Sequence, residues 1–220
     1  MKHRHLTFLP TLAGLLLAVA GAIVCTVAEA APTSAFDSAF AQFNRAAAGE
    51  SAAIEPAAAA FTALLKAEPA NPVLLAYAGA STAMKAVTAM APMDKLAFAE
   101  DGLAQLDKAL ALLRPAHDQP WHQGVPGALE VRFVAANTFL AVPPFMNRTA
   151  RGGKLLNEVL ASPLLAAAPL QFRGAVWLRA AELARQDKRP ADAKRFLALA
   201  VSQGTPQAPQ AQARLKELGP

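Results

Sequence analysis

The segment RPAHDQPWHQGVPG, residues 114–127, holds the residue types best suited to chemistry, with His117 and His122 five apart and Asp118 between them. Histidine and aspartate both bind metals and carry protons. Helical metal pairs, however, stand four residues apart, and loop sites usually offer three or four ligands. We therefore expect no metal site. We expect an exposed loop between helices, with both histidines facing water and Trp121 anchoring it to a neighbouring helix.

Patterns typical of hydrolases or phosphate binding are missing from the chain. It contains no Gly-x-Ser-x-Gly and no Ser-x-x-Lys, and the RGGK run at 151–154 lacks both a preceding strand and a following Ser or Thr. We therefore predict no catalytic residue and no cofactor. An enzyme that uses the 114–127 segment remains an alternative hypothesis.

Three polar residues interrupt a run between Leu129 and Val142 that is otherwise apolar nearly all round. Such a run predicts the central and most buried helix of the fold. A buried polar group costs roughly 1–3 kcal/mol unless it is hydrogen-bonded. Glu130, Arg132 and Asn137 are therefore expected either to pair within the protein or, for Arg132 and Asn137, to line a surface that binds a ligand.

A basic cluster follows the double proline of the VPPF turn. Arg148, Arg151 and Lys154 recur every third residue near the start of a predicted helix, where positive charge opposes the helix dipole. One interpretation is a solvated face, or pairing with Glu158 and neighbouring acids. The other is a binding site for an anionic partner: an acidic protein patch, a lipid headgroup or a carboxylate ligand.

The first thirty residues have the three parts of a secretory signal: a basic start, an apolar stretch over about 12–24, and a tail of small residues. The pattern predicts cleavage after Ala30 and a periplasmic protein. The apolar stretch is shorter than the roughly 20 residues that span a membrane. Anchoring by an uncleaved signal, or by lipidation at Cys25, remains an alternative.

Composition limits the class of protein and of partner. The chain has 55 Ala and 30 Leu but only 12 Val and two Ile, which favours an all-α fold. Without residues 1–30 the net charge is +4, from 19 basic and 15 acidic residues. This surplus, taken as spread along the chain, argues against nucleic acid as a partner. Weak contact with an anionic membrane surface or an acidic protein remains compatible with it.

Prolines and caps divide residues 31–220 into about nine predicted helices of a single domain. Most prolines fall at the starts and ends of these helices, as at Asn71-Pro72, where a capping side chain precedes a first-turn proline. A loop over 114–125 is expected to separate an N-terminal from a C-terminal group of helices.

Part of this pattern resembles the tetratricopeptide repeat, a pair of helices of about 34 residues. Trp177, Ala193, Leu197 and Ala200 fall 16, 4 and 3 apart, and Pro206 follows six later. Half-matches are Ala57, Phe61, Leu64 and Pro69, and the run LDKALALLRP. Ala181 and Ala184 stand where that family usually has Gly and an aromatic residue. The resemblance implies an α-α superhelix of stacked antiparallel hairpins with a concave binding surface.

The order of NPVLLAYAGASTAMKA, GLAQLDKALALLRP and VRFVAANTFLAVPPFMNR is also similar to exported bacterial tetratricopeptide-like proteins, some of which accompany transport systems. This resemblance implies a scaffold or adaptor that binds a protein partner, such as an envelope or transporter component. A carrier of a small apolar or anionic ligand, with an apolar pocket closed by the VPPF turn, is the first alternative.

Overall fold

The computed structural model describes residues 34–219. The predicted signal peptide over 1–30, its cleavage after Ala30 and the alternative at Cys25 concern residues outside that range. The described part is predominantly helical, which confirms the predicted all-α class. Its α-helices are α1 (Ser34–Ala47), α2 (Ile54–Ala67), α3 (Pro72–Thr88), α4 (Pro92–Ala111), α5 (Gly127–Ala141), α6 (Thr149–Ala161), α7 (Leu164–Ala167), α8 (Leu170–Gln186), α9 (Pro190–Ser202) and α10 (Ala208–Glu217).

These helices follow the predicted division closely, and the additional one is the four-residue α7, where a short turn was expected. Single turns of 3₁₀ helix cover Ser51–Ala53, Pro115–Asp118 and Pro144–Met146. At the start of α3 the Asn71 side chain accepts hydrogen bonds from the backbone N–H groups of Val73 (3.0 Å) and Leu74 (3.2 Å), as the capping prediction requires.

The segment between α4 and α5 is not the simple exposed loop that was expected. It contains a small antiparallel hairpin of β1 (Pro120–His122) and β2 (Val125–Pro126). Gln123 and Gly124 join the strands with φ angles of 48° and 79°. Two consecutive residues with positive φ are the geometry of the tight turns that match the twist of a hairpin.

Helix α3, rather than α5, is the most buried helix. Every residue from Pro72 to Ser81 is buried, because α1, α2, α4 and α5 all pack against this helix. The expectation for α5 is wrong because its Arg132, Phe133 and Asn137 remain half-buried at one side of the helix. Apolarity all round a helix allows complete burial, but the number of packing neighbours decides it.

Small residues set the distance between α3 and α4. A Cβ atom placed on Gly79 would lie 2.8 Å from the carbonyl oxygen of Gly102, and one placed on Gly102 would lie 2.6 Å from the backbone nitrogen of Ala83. Both distances are shorter than a Cβ atom tolerates, so the two backbones pack in direct contact here. Gly152 plays the same part between α6 and α5, where an added Cβ would meet Leu140 at 2.8 Å.

Buried apolar residues form one large cluster, a smaller one, and a group of three, Ala46, Ala53 and Ile54, where α1 leads into α2. The large cluster runs from Phe36 in α1 to Ala180 in α8 and therefore includes helices on both sides of the β-hairpin. The smaller cluster belongs to α8, α9 and α10 and consists of Trp177, Ala181, Leu197, Ala200 and Ala211. Three of its members are residues of the repeat-like pattern, so that pattern corresponds to packing between these helices.

We predict opposite effects of alanine at two helical glycines. Gly102→Ala should lower the free energy of unfolding by about 1–3 kcal/mol, because α3 and α4 must move apart to admit the methyl group. In Gly153→Ala the nearest atom to the new Cβ would be 3.7 Å away, so the better helix propensity of alanine should stabilise α6 by up to about 1 kcal/mol. Urea unfolding followed by circular dichroism measures both, and equal effects of the two changes would contradict the close contact.

Candidate functional site

His122 lies in the interior between two carboxylates, not in water. Its side chain is 4% exposed; Nε2 lies 3.2 Å from Oδ1 of Asp37 in α1, and Nδ1 lies 3.5 Å from Oε1 of Glu130 in α5. The expectation that both histidines face solvent is therefore wrong for His122. The β-hairpin turns this ring inward, whereas His117 is in the preceding 3₁₀ turn and its Nδ1 accepts a hydrogen bond from the backbone of Arg114.

Glu130 joins the histidine to the most buried helix. Its Oε1 accepts a 2.7 Å hydrogen bond from the Tyr77 hydroxyl of α3. Its Oε2 is also buried and has no hydrogen-bond donor among the described residues. Burial and the neighbouring carboxylate raise the pKa of Tyr77 well above its ordinary value, so the phenol keeps its proton and acts as the donor. Glu130 thus pairs within the protein, one of the two expected outcomes.

Aromatic rings enclose this polar chain. Phe36 and Phe40 of α1 each lie with their ring centres 4.6 Å from that of His122. Trp121 packs edge-on against Phe36 at 4.7 Å, as an anchor of the segment to a neighbouring helix should. Its indole nitrogen is buried and has no hydrogen-bond acceptor among residues 34–219, so the anchoring is apolar.

The chain Asp37–His122–Glu130–Tyr77 is suited to holding elements together rather than to catalysis. Both nitrogens of His122 face carboxylates, so neither is left to take a proton from a substrate. Burial acts to lower the pKa of His122, but hydrogen bonding and charge from Glu130, and then from Asp37, outweigh it, and the net pKa is raised. The described residues contain no group of three or more metal-ligating side chains that could hold an ion.

The structure divides the predicted basic cluster into two parts. Arg148 and Arg151 both bind Asp107 of α4, with Nη1–carboxylate distances of 3.1 Å and 2.7 Å. Both guanidinium groups also lie over the ring of Phe139, at 5.6 Å and 5.2 Å from its centre. Pairing with a neighbouring acid therefore accounts for these two arginines, but the acid is Asp107 and not Glu158.

Lys154 lies apart from the two arginines. It is exposed and lines a shallow groove between α6 and the end of α8, together with Glu158 and Arg189. The acid predicted for the cluster, Glu158, instead lies 3.7 Å from Nε of Arg132. Arg132 also donates to the carbonyl of Ala128 in its own helix at 3.2 Å, so it too is held within the protein.

Asn137 is half-buried in α5, and its side chain makes no hydrogen bond within residues 34–219. The expected hydrogen bond to a backbone carbonyl is therefore not seen. Of the six residues proposed for binding, Arg132, Arg148 and Arg151 have internal ionic partners and Trp121 has an aromatic one. Lys154 and Asn137 are left without either.

A second groove, which we call the apolar groove, lies between α4 and the 3₁₀ turn after α5. Its volume is about 620 Å³. One wall is a stripe of α4 in which Leu96, Glu100, Leu103 and Asp107 follow one another at spacings of 4, 3 and 4. The opposite wall is formed by Phe145, Met146 and Arg148. The lining residues are Leu96, Glu100, Leu103, Ala104, Asp107, Phe145, Met146 and Arg148.

Large hydrophobic side chains are exposed in and beside this groove. Phe145 of its outer wall is 73% exposed, and Leu96 is 36% exposed. One helical turn before Leu96, Met93 is 73% exposed; Met90 in the α3–α4 connection is 93% exposed and Val87 at the end of α3 is 73% exposed. Five of the six large hydrophobic residues exposed in the described part therefore belong to this groove or to the chain leading into it, the sixth being Leu170.

The sequence analysis did not identify these apolar residues as exposed, because no local pattern distinguishes an exposed apolar side chain from a buried one. Phe145 entered the sequence analysis only within the VPPF turn, which was also considered as the closure of a carrier's apolar pocket. Asp37 and Asp107 were missed for another reason. Each pairs with a residue far along the chain, and only the three-dimensional packing brings the two together.

No family model, curated protein or solved structure matches the chain. Among residues 34–219 no helix has both the length and the hydrophobicity needed to cross a membrane.

The raised pKa of His122 predicts a defined pH dependence of stability. Below about pH 6.5 the histidine is protonated in the folded and unfolded states, and the ion pairs contribute fully. As the pH rises through the higher folded-state pKa, that contribution is lost. The stability advantage of the wild type over His122→Gln should therefore shrink with rising pH, which urea unfolding at a series of pH values would measure.

An NMR titration of His122 in Glu130→Gln provides the control for this prediction. The Glu130 carboxylate contributes most to raising the pKa of His122, so its removal should lower that pKa. A stability difference that stays constant or grows with pH, together with an unchanged His122 pKa in Glu130→Gln, would contradict the assigned ion pairs.

The Asp107 ion pairs predict that Arg151 and Lys154 differ in their effect on stability. Arg151→Gln should cost about 0.5–1 kcal/mol, a modest figure because both partners are partly exposed. Lys154→Gln should cost nothing measurable. In an Asp107→Asn background the cost of Arg151→Gln should largely disappear, and a double-mutant cycle without this coupling would rule out the pair.

Proposed function

We propose that the chain is a non-enzymatic adaptor that binds an amphipathic segment of a protein partner in the apolar groove. The observation that carries the proposal is the concentration of exposed hydrophobic side chains in and beside that groove. A protein seldom exposes large apolar side chains together unless they serve an interaction. Phe145 and Met93 are of the residue types that are enriched at protein interfaces.

The groove also suggests the chemistry of its occupant. The apolar wall of Leu96, Phe145 and Met146 suits two or three apolar side chains presented on one face of a partner helix. On the polar side Glu100 is exposed and forms no ion pair within residues 34–219. A basic residue on the partner segment would complement it, while Arg148 is already neutralised by Asp107.

Two features support an adaptor over a carrier or an enzyme. The apolar groove is open along the surface, whereas a carrier of a small apolar ligand needs a pocket that encloses most of the ligand. The residues best suited to catalysis, His122 and Glu130, are engaged with one another inside the protein.

We also propose that the helices form a tetratricopeptide-like stack of antiparallel hairpins. Support comes from the pairing of consecutive helices: α3 with α4, α5 with α6, and α8 with α9, each joined by a short connection. The signal-like N-terminus supports an exported, periplasmic protein. The helical stack supports a role beside an envelope or transport complex.

Site-specific photocrosslinking in the producing cell tests the binding surface. A photoreactive phenylalanine analogue at position 145 should give a discrete adduct, identified by mass spectrometry as one protein. Leu96→Asp in the same chain should abolish that adduct, because it places a charge on the facing wall of the groove. Circular dichroism of the Leu96→Asp protein checks that the fold is retained.

Position 170 provides the matched control, since Leu170 is also exposed but lies at the start of α8, outside the groove. We expect no discrete adduct there. The same adducts from positions 145 and 170, or an adduct at 145 that survives Leu96→Asp, would show that the apolar groove is not a specific binding surface.

A further inference from the structure

The excess positive charge of the described chain resides in its last three helices. Residues 34–169 contain 10 basic and 11 acidic residues, a net charge of −1, whereas residues 170–219 contain nine basic and four acidic residues, a net charge of +5. The expectation of a surplus spread along the chain is therefore wrong. The unit formed by α8, α9 and α10 is strongly basic for its size.

Three of the four acids of this unit, Glu182, Asp187 and Asp192, are already paired with some of its arginines. Arg189 binds both Asp187 and Asp192, at 3.0 Å and 2.6 Å. On α8 the Glu182 carboxylate accepts two hydrogen bonds from Arg185, at 3.1 Å and 2.7 Å, and a third from Gln186. Little acceptor capacity is left for other cations close to Glu182.

Arg179 and Arg214 are the two cations that remain beside this acid. Arg179 is half-buried on α8, and its Nε is shielded from solvent without a hydrogen-bond acceptor. Arg214, on α10, is also half-buried and close enough to Glu182 to help lower the pKa of that carboxyl. Within residues 34–219 neither arginine forms an ion pair.

A half-buried arginine at position 179 lowers the stability of the isolated protein. Burial lowers the pKa of Arg179, which means that its surroundings disfavour the charged guanidinium. Exposed arginines elsewhere in the same unit all lie against acids, as Arg185, Arg189 and Arg195 do. Two half-buried arginines on adjacent helices therefore offer hydrogen-bond donors that the chain itself leaves unused.

We propose that the face of α8 and α10 that carries Arg179 and Arg214 docks an acidic segment of a protein partner, whose carboxylates receive these two guanidinium groups. The docking face is distinct from the apolar groove on α4, so the proposal does not depend on that groove. An adaptor with both surfaces could hold two partners at once.

The residues around Arg179 and Arg214 favour a protein partner over a phosphate-rich one. Leu178, Leu215 and Leu218 are half-buried and pack against the smaller core beside the two arginines. Arginine next to partly exposed leucine is typical of protein interfaces. Glu182 and Glu217 stand among the cations and would repel a continuous row of phosphates, whether of a nucleic acid or of an anionic lipid surface.

A labelled peptide of alternating Glu and Leu residues provides the probe, with the corresponding Gln and Leu peptide as its control. Fluorescence anisotropy at fixed ionic strength should show that the protein prefers the Glu peptide. Arg179→Gln/Arg214→Gln should weaken that binding by about tenfold. Lys66→Gln/Lys108→Gln removes the same charge from exposed positions on α2 and α4 and should leave the affinity within about twofold.

A second measurement avoids dependence on the folding of the variant. In the wild-type protein the NMR signals of the Arg179 and Arg214 Nε–H groups should shift on addition of the Glu peptide, and the Arg195 signal should not. Equal binding of both peptides, absence of binding, or equal weakening by the two double variants would overturn the proposal. So would tighter, arginine-dependent binding to polyphosphate or to phosphatidylglycerol vesicles, which would assign the face to phosphate.

Discussion

The direct backbone contact between α3 and α4 is the constraint on which much of the structure depends. Helix α3 can be buried on all sides because small residues such as Ala76, Gly79 and Ala80 let its neighbours approach closely. The approach of Gly102 to Gly79 fixes the distance and rotation of α4. That rotation buries Leu106 and leaves the stripe from Leu96 to Asp107 to form one wall of the apolar groove. The geometry of the groove therefore follows from the packing of the core.

Local signals in the sequence predicted the helices, and long-range pairing explains what they missed. Asn71 and the helix-starting prolines act within a few residues, so the helix boundaries could be anticipated from neighbours in sequence. The contact of Asp37 with His122 joins residues 85 positions apart, and that of Arg148 with Asp107 joins residues 41 apart. No local pattern specifies such pairs. Composition likewise could not distinguish the exposed Phe145 from a core phenylalanine.

The histidine of the 114–127 segment illustrates how a residue suited to chemistry becomes part of the framework. A buried imidazolium is costly in an apolar site, but Glu130 and Asp37 supply opposite charge on both sides of the ring. Tyr77 in turn donates to Glu130, so the β-hairpin, α1, α3 and α5 are tied together by one polar chain within an aromatic enclosure. Because its four side chains come from four different elements, this polar chain of hydrogen bonds and ion pairs helps specify how those elements assemble.

The two proposed binding surfaces are recognised by side chains whose exposure or lack of a partner is unfavourable in the isolated protein. Several arginines are neutralised within the protein: Arg148 and Arg151 share Asp107, and Arg189 bridges two acids. By contrast, Phe145 is 73% exposed, and the Nε of the half-buried Arg179 has no hydrogen-bond acceptor among the described residues; both features are unfavourable in the free protein. A polar residue at 145 or a glutamine at 179 would remove the cost. A partner that covers the apolar ring or neutralises the charge would offset this cost, which is the thermodynamic reason for the proposed adaptor function.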